Sequence, residues 1–210
     1  MRAPKAAAWL ATAAVILAAC GGSSTEDAVD TTVGDSVATT TVAVDADVTA
    51  FAERMAVIDD AVTVWRTAPT LAVAQEAAEE VANLIVGPNG PGYGDRDGDG
   101  VVSGPTDAGV LPGVTGTPPG HAVPLAANSC VAADVLGGSW DNPEARWGEM
   151  LGAIDAWRPG NNTMPTLASH PMRVVGWAPF TLDSDSLDEA HEYAGHANLH
   201  VEISIRALDC

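Results

Sequence analysis

The chain has 210 residues, 28 Asp and Glu against 9 Lys and Arg, a formal charge of −19 and 5% aromatic content. That length suits one domain, and 47% apolar residues exclude wholesale disorder. So few basic residues in so acidic a chain argue against nucleic acid as a partner and against a phosphate ligand.

The chain opens with Arg2 and Lys5, an apolar run from Ala6 to Ala19, and Cys20 within Leu17-Ala18-Ala19-Cys20. This is the pattern of a secretion signal, and the run falls short of the about 20 residues of a membrane span. Leu-Ala-Ala-Cys resembles the bacterial lipobox, and Gly21-Gly22-Ser23-Ser24 follows it. The resemblance implies that residues 1–19 are removed and that Cys20 becomes a lipidated amino terminus. The protein would then be held to the lipid membrane of the cell envelope on its extracytoplasmic face. The alternative is an ordinary secreted protein cut near Ala19, with Cys20 a stray thiol. Removal of the signal leaves seven arginines, no lysine and all 28 acids, a charge of −21. Residues 20–46, without aromatic or leucine or apolar period, are expected to form a disordered tether.

From residue 47 to 210 the pattern is that of an all-α domain. Val48, Phe51, Met55, Ile58, Val62 and Trp65 recur at steps of three and four, with Asp47 as the expected cap. Leu71, Ala74, Ala78, Val81 and Ile85 repeat the spacing until Gly87-Pro88 stops it, so these two helices form a hairpin. Residues 87–120 hold eleven Gly and six Pro, which predicts a long structured loop. A third helix is expected from Pro124 to Gly137-Gly138, with weak periodicity. A fourth has Asn142 as cap, Pro143 at its first position and Trp147, Met150, Ile154 and Trp157 as its stripe. Residues 160–183 read either as a short helix after Ser169 or as a buried extended segment. In the last helix Ser186 and Glu189 make a capping box, and Leu187, Ala190, Ala194, Ala197, Val201, Ile205 and Leu208 form the stripe. Four or five helices around one core, with a long Gly/Pro-rich loop after the second, is the expected fold. Trp65, Trp147, Trp157 and Trp177 read first as core packing, with an aromatic ligand cage as the alternative.

With Cys20 lipidated, Cys130 and Cys210 remain, and an even remainder in an exported chain reads as one disulfide. A catalytic thiol is the alternative.

Asp95-Arg-Asp97-Gly-Asp99-Gly100 carries the strongest chemical signal. Alternate aspartates direct three hard oxygens at one point, and a glycine at the sixth position permits the turn that wraps a calcium ion. Val101 would offer its carbonyl and Ser103 its hydroxyl, directly or through water. The segment, within 93–108, resembles the calcium loops of EF-hands and dockerin modules but has Thr106 where the EF-hand places a bidentate Glu. Asp107 is expected to close the shell instead, and Gly104-Pro105 denies the exiting helix. Calcium is the expected ligand, in a structural role; a solvated Asp-Gly turn is the alternative. Asn83 to Ile85 and Tyr93 to Gly100 also resemble segments of exported helical proteins of no known activity.

On the last helix Glu192, His196 and His200 share one face, a spacing that would suit zinc or copper; a solvated face with local Glu–His pairing is the other reading. His191 is expected at the core edge. No nucleophile elbow, phosphate loop or His-Glu-x-x-His occurs. The chain therefore reads as a binding or structural module for an unknown extracytoplasmic ligand or protein, with a transition-metal enzyme or electron-transfer protein as the alternative.

Overall fold

A computed structural model describes the backbone from Ser36 and the side chains from Ala46 to Cys210; the signal, Cys20 and the first part of the tether lie outside the described residues. The described residues contain five α-helices and no strand: α1 (Ser36–Thr67), α2 (Leu71–Val86), α3 (Pro143–Ala156), α4 (His170–Leu182) and α5 (Leu187–Arg206). α1 touches α2 and α5, and α4 does the same, so four helices close a ring with α3 packed against α4.

The apolar stripes face inward as their periods predict. Phe51, Met55, Ile58, Val62 and Trp65 from α1 meet Ala74, Ala78, Val81 and Ile85 from α2, and all are buried. Ala190, Ala194 and Ala197 of α5 are fully buried, and side chains that small let helix backbones approach closely. α4 is apolar nearly all round, with Met172, Val174, Val175, Trp177 and Ala178 buried, because it packs against α2, α3 and α5.

Asn142, Ser169 and Ser186 cap their helices as expected, whereas the expected cap Asp47 lies inside α1 and Thr70, which the sequence did not single out, caps α2. The side chains of Thr70, Asn142, Ser169 and Ser186 accept from the backbone N–H three residues on. Ser169 decides the ambiguous stretch in favour of a helix. In the box at α5, Ser186 Oγ accepts from Glu189 N at 3.3 Å. The Glu189 carboxylate instead takes the hydroxyl proton of Ser184, whose oxygen accepts from Ser186 N.

Two expectations need correction. α1 starts at Ser36, not after Asp47, so the last eleven residues of the expected tether are helical. The stripe begins only at Val48, and a helix, once nucleated by packing, extends beyond it at little cost. The third helix is broken. Residues 123–135 hold one 3₁₀ turn, Val123–Leu125, and, from Ser129, a short helical segment that runs into the π turn Val131–Val135. Asn128 is the cause, since its Oδ1 accepts from the N–H groups of Cys130 and Val131 at 2.9 and 3.0 Å and so restarts the chain there.

The long loop is anchored rather than loose. Leu111 N donates to Ile85 O, Ala122 N to Val110 O and Trp147 Nε1 to Pro112 O, while Val110 and Leu111 are completely buried. Gly87 ends α2 at φ +67°, and a Cβ there would lie 2.3 Å from Gly109 N, so only glycine lets the loop return past the helix end. Cys130 and Cys210 form a disulfide with Cα atoms 6.1 Å apart, tying the C terminus to the π turn.

Candidate functional site

The loop 93–103 is built on α2. Glu79 and Asn83 stand one helical turn apart and are buried, at 1% and 0% exposure. Glu79 Oε2 accepts from the N–H groups of Arg96 and Asp97, and Oε1 from Ser103 N at 2.9 Å. Asn83 donates through Nδ2 to Gly94 O and Ser103 O and accepts at Oδ1 from Gly94 N. Both ends of the loop are thereby fastened to one helix face. Gly104 completes the contact: a Cβ there would meet Asn83 Cβ at 2.6 Å. Tyr93 adds a hydrogen bond of 2.6 Å from its hydroxyl to Pro105 O.

Inside the loop the aspartates organise the backbone. Asp95 accepts from Gly98 N and Gly100 N on its two oxygens, Asp97 from Asp99 N, and Asp99 from Val101 N. Gly98 and Gly100 adopt φ of +80° and +90°, as a chain wrapping a point requires. The carboxylates of Glu79, Asp95 and Asp97 each bring an oxygen within 4.8 Å of the others, the one group among the described residues able to hold a metal by three or more such side chains. Glu79 Oε2 spends both lone pairs on backbone donors, so Oε1 keeps the free one. Desolvation raises the Asp97 pKa, and the charges of Asp99, Glu79 and Asp95 raise it further, against one backbone hydrogen bond. A divalent cation would relieve that repulsion.

Of the residues expected around calcium, Asp95 and Asp97 come together here. Asp99 stands beside them as an exposed turn residue, Val101 is exposed, and Ser103 gives its backbone to Glu79 and Asn83. Asp107 lies in a different contact, accepting from Arg54 of α1 at 3.0 Å. Its burial would raise its pKa, but the hydrogen bond and charge of Arg54 hold it below the usual range. Glu79 was hidden in the sequence among Glu76 and Glu80, where a helix reads as a solvated acidic face. Its one signal is the spacing Gln75, Glu79, Asn83, a polar line beside the Ala74, Ala78, Val81 stripe.

The α5 residues separate. His200 Nδ1 lies 2.9 Å from Nδ1 of His170, the first residue of α4. Burial first, then His170, Arg173 and His196, push the His200 pKa down to about 3; burial and Arg173 lower His170 against the pull of Asp134. His196 stacks on Trp177 with centroids 4.5 Å apart, and Glu192 lines the cavity beside them. His191 donates to Ala68 O at 3.0 Å, half-buried at the core edge.

The tryptophans divide between core and surface. Trp65 and Trp147 are core residues, whereas Trp157 is half-buried and, with Trp177, Tyr193 and His196, lines a cavity of about 310 Å³. No helix among the described residues is long and apolar enough to cross a membrane. Comparison of the chain with protein-family models, with curated proteins and with solved structures finds no match.

Proposed function

We propose that this protein is an exported, lipid-anchored binding module whose loop 93–103 takes calcium in a structural role. The observation that carries the calcium reading is the convergence of Glu79, Asp95 and Asp97 on a loop already wrapped by backbone hydrogen bonds. Three carboxylates offer hard oxygen donors without nitrogen or sulfur, a set that favours calcium over zinc or copper. Such a site at extracellular calcium, with an affinity of ~10⁻⁴–10⁻³ M, stays filled and senses nothing.

Export is supported by the disulfide between Cys130 and Cys210, which persists in oxidising compartments, and by the signal-like residues 1–20. Cys20 would carry the lipid and the α1 end of the tether would lift a −21 domain from an anionic surface. The binding role is supported by the aromatic cavity, whose walls are tryptophans of the kind that ligand pockets use.

Calorimetric titration of chelator-stripped protein tests the calcium reading. One calcium per chain, lost in Asp95→Ala, is expected; absence of heat together with a melting temperature indifferent to chelator refutes it. Replacement of Cys20 by Ala tests the anchor, and should move the protein from the membrane fraction to the soluble one.

A further inference from the structure

The cavity between the α3–α4 connection and α5 has a particular shape and a particular charge pattern. Trp177 and Tyr193 are nearly parallel, 16° between planes and 5.8 Å between centroids. Trp157 stands almost perpendicular to both, at 82° and 83° and about 6 Å away. The three rings form a corner of two aromatic walls. Around it lie an acid, Glu192, a base, Arg158, an amide, Asn162, and the imidazole of His196.

These polar groups are not spent on one another. Glu192 and Arg158 both line the cavity, yet they are not among the ion pairs of the described residues. Arg158 donates through Nη1 to the carbonyls of Asp155 and Trp157, which holds the guanidinium in place. Its Nε and Nη2 make no such bond there. Asn162 accepts at Oδ1 from Met164 N at 3.0 Å, leaving its NH₂ group to face a ligand. Trp177 is 97% buried with His196 stacked on its ring at 4.5 Å, so it backs the corner.

A purely anionic ligand would meet Glu192 and the negative charge of the whole chain, and a purely cationic one would meet Arg158. A neutral ligand would use neither charge. A molecule with both signs uses both charged groups on the wall. Ring faces attract a weakly hydrated cation through their quadrupoles, Glu192 adds its charge, and Arg158 matches a carboxylate with paired donors.

We propose that this cavity binds a small zwitterion joining an alkylated ammonium group to a carboxylate, with the cation against Trp157 and Tyr193 in the corner that Trp177 backs, and the carboxylate on Arg158. The assignment rests on the binding-module reading and names its ligand class. The test is calorimetry and tryptophan fluorescence on the purified chain with its disulfide intact. The probes are glycine betaine, choline and maltotriose. Betaine should bind, and choline more weakly by about tenfold for want of the carboxylate contact. Arg158→Gln should weaken betaine about tenfold and leave choline within about twofold. Glu192→Gln should weaken both, and Trp157→Ala should lose both. Arg158 and Glu192 are exposed, so their variants keep the fold if Trp157→Ala does not. Absence of betaine binding up to about 50 mM, a potency beyond which pockets of this kind are not specific, overturns the proposal. Equal binding of choline and betaine overturns it as well. Preferred binding of maltotriose also overturns it, while leaving the binding-module reading intact.

Discussion

Glu79 takes more backbone donors than any other side chain in the domain's loop. Its carboxylate serves three N–H groups from inside the protein, so Glu79→Gln turns one acceptor oxygen into a donor facing donors. That exchange should destabilise the fold by about 1–3 kcal/mol and abolish calcium binding, as read by denaturant titration with and without the ion. His170 and His200 predict a pH dependence. A histidine whose folded pKa lies below its unfolded value contributes stability that is complete above about pH 6.5 and declines as pH falls toward the folded value, here about 3 for His200. The melting temperature should therefore fall on acidification from pH 7 to 4, and His200→Gln should flatten that slope. Persistence of the full slope in the variant would place its origin in other groups.

At the scale of elements, the caps of α3, α4 and α5 were legible, while that of α1 and the irregular pieces were not. Asn142-Pro143 and Ser186 with Glu189 name their helix starts because each places an oxygen against orphan N–H groups. The stripe of α1 was equally plain, but its upstream extension was not, because Thr-rich sequence with no apolar period carries no packing signal. The break in the third helix turned on Asn128, whose local bonds restart the helix at Ser129 against weak periodicity. Within the acidic loop, Asp95 and Asp97 were readable from alternation. Glu79 and the Arg54 contact of Asp107 were not, because each depends on which helix the loop meets. The disulfide between Cys130 and Cys210 closes 80 residues and holds the end of α5. Cys130→Ser should cost about 2–4 kcal/mol and expose the last turn of α5 to hydrogen exchange before the rest.

For the whole molecule, the proposed calcium site couples acidity to ion binding. The raised pKa of Asp97 means that the fold without metal binds a proton more tightly than the unfolded chain does. Asp97 on its own subtracts stability from the calcium-free protein as pH rises through the carboxylate range, against the opposite contributions of Asp107 and the two histidines. Calcium should remove the Asp97 contribution and raise the melting temperature, in proportion to the logarithm of its concentration above the dissociation constant. Differential scanning calorimetry at pH 4 and 7, with chelator and with excess calcium, checks this: the rise produced by calcium should be larger at pH 7 than at pH 4. A melting temperature unmoved by calcium at pH 7 would detach the acidic loop from the stability of the domain.

The polar line Gln75, Glu79 and Asn83 along α2 has one further effect. Gln75 Nε2 donates to the carbonyls of Thr181, Leu182 and Ser184 at the end of α4, while Glu79 accepts from the loop and Asn83 does both. The three residues follow one another at intervals of four, and each offers a different pattern of donors and acceptors. If α2 slid one turn along its neighbours, its apolar stripe would still meet the core, but Glu79 would arrive opposite three carbonyls with nothing to donate. The stripe is tolerant of such a shift and the polar line is not. These three side chains therefore act as a key that fixes the register of α2 in the bundle, a selectivity that apolar packing alone does not supply.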